Sequence, residues 1–110
     1  MKIIEKENYK ILQDEKDDVR DFALYLQTHH DSFKENNVVV DILKYGTLEL
    51  EELLAFLKLS NRHRENNKSF VIVNDTINID RVPEEIVVVP TLQEAEDIIQ
   101  MEEIERELGF

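Results

Sequence analysis

Three short apolar runs constrain this chain more than anything else in it: "VVVDI" at 38–42, "FVIV" at 70–73 and "IVVV" at 86–89. They lack the polar alternation of a strand with one wet face. They are also too short for an ordinary helix. Runs of this kind fit strands covered on both faces, as in a largely parallel sheet. Such a sheet needs a layer on each side, so the intervening segments must supply helices.

Those segments carry the helical period. In "DEKDDVRDFALYLQTHHDSF", Val19, Phe22, Ala23 and Leu26 fall at i, i+3, i+4 and i+7, and Asp14, Asp17 and Asp18 precede them at the positive end of the helix dipole. "LELEELLAFLKLSNRHR" predicts one continuous helix with Leu50, Leu53, Leu54 and Leu57 inward and Glu51, Glu52 and Lys58 outward. "TLQEAEDIIQMEEIERELG" places Thr91 and Glu94 in capping-box spacing. It predicts a helix with Leu92, Ala95, Ile98 and Ile99 inward, then Ile104 and Leu108, and a stop at Gly109.

Residues 2–5 and 9–13 predict two short strands around the turn "KEN". The "ENN" at 35–37 and at 65–67 are turn signals, each just ahead of an apolar run. Residues 74–83, "NDTINIDRVP", predict a loop with at most one helical turn. The order β-β-α-β-α-β-β-α predicts a single α/β domain over 1–110. Its sheet is mixed but mostly parallel, with an N-terminal hairpin and helices packed on it.

Composition narrows the function. Acidic residues outnumber basic ones 25 to 13, for a net charge of −12. Such a surface repels phosphate backbones and anionic lipid, so neither nucleic acid nor membrane is an expected partner. Arg62, Arg64 and Lys68 form one small basic cluster at a helix end, where cations complement the dipole. With no cysteine there is no disulfide and no thiolate site. "MKIIEKENYK" has no apolar stretch of the signal-peptide kind, and a cytoplasmic location is expected. The two glycines, Gly46 and Gly109, cannot build a phosphate-cradling loop. His29 and His30 are adjacent on a helix and diverge, and His63 is remote, so no metal-ligand spacing is present. "HHD" fits a polar helix end. No serine or threonine sits in a nucleophile elbow. The sequence predicts a non-enzymatic chain with no cofactor and no metal.

The element order, "VVVDI", "FVIVND" and "VVVPTLQEAEDII" together resemble the STAS domain, the family of sulfate transporters and anti-sigma factor antagonists. The resemblance implies that "VVVD" is the central strand and that the loop and helix start after it meet a protein partner. In the antagonists that turn reads Asp-Ser-Ser-Gly, and a kinase phosphorylates one serine to switch binding off. Here the matching residues are "ELEE". Glu49 falls on the aspartate, Leu50 and Glu51 on the serines, and Glu52 on the glycine. Thr47 is the nearest hydroxyl and lies ahead of the motif, so the serine switch is absent.

Two readings of the acidic turn stand side by side. Fixed carboxylates at a helix start can mimic a phosphate, or they are ordinary capping chemistry. Tyr45 in "KYGT" is either a docking ring or a ring packed on the sheet. The resemblance makes Asp41, Lys44, Tyr45, Thr47, Glu49, Glu51, Glu52, Asn74 and Asp75 the expected partner-binding set, opposite a regulatory protein with a basic patch. A different class of reading is a small-molecule or nucleotide sensor, or an enzyme, at the carboxyl ends of the strands. Asp41, Asn74 and Asp75 would line such a site. The last helix, with an apolar seam through Met101, Ile104 and Leu108, predicts a contact with a partner or a second copy, or else a solvated outer face. The chain is thus expected to be a monomer or a weak homodimer through that helix.

Overall fold

The computed structural model describes residues 1–109. Strands β1 (Lys2–Glu5), β2 (Lys10–Gln13), β3 (Val38–Asp41), β4 (Phe70–Val73) and β5 (Val87–Val89) form one sheet in chain order. β1 and β2 are an antiparallel hairpin, and every later pairing is parallel. The register places Val38 beside Phe70 and Val71 beside Val87. This is the mixed α/β sheet expected from the valine runs.

Because strands enter the sheet in sequence order, the crossover helices share one face. α1 (Val19–Thr28), α2 (Leu50–Leu54) and α3 (Leu57–Glu65) pack there against Leu12, Val38, Val40, Phe70, Ile72 and Val88. α4 (Leu92–Glu107) covers the other face, with Ala95 and Ile99 against Ile11, Val39, Val71 and Val73. Alternate residues of β3 and β4 thus belong to different cores, and both strands are buried along their apolar length.

Local chemistry sets the ends. Asp18 caps α1 by accepting from Arg20 N and Asp21 N at 3.0 and 3.1 Å, and Val19, Phe22, Ala23 and Leu26 are all buried. Thr91 caps α4 by accepting from Glu94 N at 3.1 Å. Residues 74–83 contain one 3₁₀ turn, Ile79–Arg81.

The second crossover differs from expectation. "LELEELLAFLKLSNRHR" is two helices, broken at Ala55 and Phe56. Ala55 N bonds Glu52 O and Phe56 N bonds Leu53 O, tightening the backbone to i→i+3. The side chains buried across the break are not those of the predicted stripe. Leu53, Phe56 and Leu59 recur every three residues and are 0, 0 and 1% exposed. A three-residue period suits a 3₁₀ turn and drifts around a regular helix. Leu54, expected inside, is exposed, and Leu50 and Leu57 are half-buried.

Candidate functional site

The predicted site residues gather on the rim at the carboxyl ends of β2, β3 and β4. Three loops meet there. The first is Asp14–Asp18, between β2 and α1. The second runs from Ile42 to Glu49 and contains a 3₁₀ turn at Leu43–Tyr45. The third begins at Asn74.

Side chains stitch these loops together. Tyr45 donates its hydroxyl to Asp14 Oδ2, and its ring packs on the main core. It is therefore a structural ring rather than a projecting one. Burial, reinforced by the Asp14 carboxylate, raises the Tyr45 pKa well above the ordinary phenol value. Lys44 Nζ donates to the Lys16 carbonyl and lies 3.7 Å from Asp17 Oδ1. Asp41 is tied down as well, accepting from Gln13 Nε2 at 2.7 Å and from Leu43 N at 3.1 Å.

Asn74 joins the second loop to the third. It is 2% exposed. Its Nδ2 donates to Ile42 O and Gly46 O, both at 3.3 Å. Its Oδ1 accepts from Thr76 N, Ile77 N and Thr76 Oγ1 at 2.9, 3.2 and 2.7 Å. Thr76 Oγ1 in turn accepts from Leu48 N at 3.1 Å. Asn74 thus holds the rim in shape and presents no free polar atom outward.

The remaining residues face solvent. Thr47, Glu49, Glu51 and Asp75 are exposed. The Glu51 side chain is 86% exposed, with only Arg20 at 3.7 Å. Glu49 is the N-cap of α2, and Glu52 Oε1 accepts from Glu49 N at 3.0 Å. Glu52 is therefore engaged in ordinary capping. Arg20 and Arg81 border a shallow hollow shared with Glu49, Glu51 and Glu52. A groove of about 370 Å³ adjoins the rim along α1. Phe22, Leu24 and Tyr25 give it an apolar side, and Asp14, Asp18 and Asp21 an acidic lip.

Sequence reasoning missed a buried pair. His29 is exposed and stacks on Tyr25, with ring centroids 4.0 Å apart. His30 turns inward, contrary to a wholly polar helix end, and meets His63 from α3. The two are 2% and 0% exposed, among Phe33 and Phe70. Burial lowers both pKa values, that of His63 to about 4. The basic cluster is also divided: Arg64 reaches α4 and pairs with Glu102 at 3.1 Å. No group of three or more metal-ligating side chains comes together among the described residues. Nor is any of their helices long and apolar enough to cross a membrane.

No protein-family model matches the chain, and no curated protein matches it.

Proposed function

We propose that the chain is a non-enzymatic, STAS-like interaction domain whose acidic rim docks a basic patch on a protein partner, without a serine phospho-switch. One observation carries the reading. Glu49 and Asp75 stand exposed on loops that Asn74 and Thr76 lock in place, and Glu51 stands exposed in the first turn of α2, which follows directly. Carboxylates held on ordered backbone lose little entropy on binding, and complementary charge speeds and orients encounter. The neighbouring groove offers apolar contact beside more acids. Tyr45 supports the rim from beneath, Lys44 ties its loop to Lys16 and Asp17 at the surface, and Thr47 sits at the edge.

The reading of these strand ends as a sensor or enzyme site has less support. Asp41 and Asn74 would have to release intramolecular hydrogen bonds to meet a ligand. A cytoplasmic location belongs to the proposal, and its regulatory setting follows from the resemblance.

The test is capture of the partner from native-cell extract by the wild-type chain and by a Thr47→Lys, Glu51→Lys, Asp75→Lys variant. All three positions are exposed, so the fold should persist. The wild type should retain a basic protein that rising salt releases, and the variant should lose it. Undiminished capture by the variant would remove the rim from consideration.

A further inference from the structure

The α4 helix carries two apolar stripes, and the sheet uses one. Ala95 and Ile99 are fully buried. On the same side Glu103 bonds Asn8 and Asn37, and Arg106 bonds Asn37 and Ser69. Met101, Ile104 and Leu108 follow at spacings of three and four and lie on the opposite side, 49, 57 and 67% exposed. That spacing is the a–d–a seam of a coiled coil. Single exposed apolar residues are normal on any surface. Three large ones aligned on the outward side of α4 and its C-cap, Leu108, form a contact surface.

Charge selects the occupant. One heptad earlier the seam positions are Glu94 and Asp97, and Glu105 and Glu107 flank Ile104 and Leu108; all four are exposed. Arg106, the one cation of α4, is turned towards the sheet. A second copy would bring acids against acids at the flanking positions that normally set coiled-coil pairing. Anionic lipid is repelled for the same reason. A helix with apolar seam residues and Lys or Arg beside them is complementary in shape and in charge.

We propose that the outward face of α4, centred on Met101, Ile104 and Leu108, is a second docking surface that takes a cationic amphipathic helix from another protein. This surface is separate from the acidic rim. Asn8, Asn37 and Ser69, which anchor this half of α4, precede β2, β3 and β4, whereas the rim lies at the other end of those strands. The proposal does not rest on the rim reading.

The test uses the full chain and a labelled synthetic peptide of about three heptads, with Leu at a and d and Lys at e and g. Binding is followed by fluorescence anisotropy. Saturable binding is expected, and Ile104→Glu should weaken it at least about tenfold through loss of one buried side chain. Met101→Ser should weaken it in the same direction, and Glu51→Lys in the rim should leave it unchanged. Circular dichroism checks that each variant keeps its fold, as expected at exposed positions. Several outcomes overturn the proposal: no saturable binding, equal affinity in folded Ile104→Glu, or equal affinity for a peptide with Ser in place of every Leu. The last would mean that charge alone is read. Dimerisation of the free chain, seen in sedimentation and abolished by Ile104→Glu, would assign the seam to a second copy and overturn it too.

Discussion

His30 Nε2 lies 2.9 Å from His63 Nδ1, and His63 Nε2 lies 2.7 Å from the Asn36 carbonyl. A carbonyl only accepts, so His63 carries its hydrogen on Nε2. Its Nδ1 then accepts from His30 Nε2–H, and His30 Nδ1 is left buried without a partner. This chain of bonds holds the end of the first crossover against α3; one added proton reverses the ring–ring bond by shifting the His30 hydrogen to Nδ1, and two charged rings abolish it.

Acid should therefore loosen the fold. The unfolded His63 takes a proton near its ordinary pKa of 6.5, whereas the folded one resists until about 4. The unfolded state binds more protons between those values, so stability falls as pH drops through that window and levels off below it. The His63 share is about 2 kcal/mol by about pH 5. Urea midpoints at about pH 7 and about pH 5 measure it. The His30→Phe, His63→Phe double variant should lose much of this pH dependence. An undiminished acid slope in that variant would place its origin among the carboxylates instead.

Asn74 gives the second prediction. No other side chain of its size offers both two donors for the Ile42 and Gly46 carbonyls and an acceptor for three groups of the next turn. Asn74→Asp turns the donating end into an acceptor facing two carbonyls. It should cost about 3 kcal/mol, more than a single lost bond, because buried polar groups are left unpaired. Hydrogen exchange should report the damage locally, with faster exchange at Leu48 and Thr76 amides. Unchanged exchange at those two amides would show that the loops are held by something else.

Gly46 tests backbone conformation apart from packing. Its φ is +65° and ψ −127°, a combination that costs a residue with a Cβ about 1–3 kcal/mol. Nothing lies within 4 Å of a Cβ built there. Gly46→Ala should therefore destabilise by roughly that amount with no steric clash. A thermal melt equal to wild type would mean that the loop relaxes freely.

The sheet was legible because each valine run needed cover on both faces, and only a layered α/β arrangement supplies it. The first helix was legible for a similar reason, since one stripe fitted Val19, Phe22, Ala23 and Leu26. The leucine-rich crossover admitted two stripes. Leu50, Leu53, Leu54 and Leu57 make one helical face, whereas the buried set is Leu53, Phe56, Leu59, Ser60 and His63, a face rotated from it around the same segment. Local period does not decide between them; the sheet surface does.

Of the candidate site, the position of the rim followed from strand order, but the roles of its members did not. Tyr45 and Asp14 are 31 residues apart, and His30 and His63 are 33 apart. Contacts of that separation leave no local trace. Asn74 did carry a signal: an asparagine closing a buried strand, two residues before a threonine, is an Asx-turn pattern. That pattern marks a loop anchor rather than a ligand contact.

Tyr45 supplies the last prediction, at the alkaline end. The folded protein holds its hydroxyl protonated well beyond the ordinary value near 10, because the ring is half-buried and Asp14 accepts its hydrogen. The unfolded chain releases that proton first, so stability should fall as pH rises above about 10. Tyr45→Phe keeps the ring and removes the proton. At neutral pH it should cost about 1–2 kcal/mol for the lost bond to a carboxylate, and above about pH 10 its deficit against wild type should shrink. Denaturation midpoints of both proteins across that range decide the matter. A constant gap between the two curves would mean that the Tyr45 hydroxyl ionises in the folded state as it does in water, and that its bond to Asp14 does not join the first two loops of the rim.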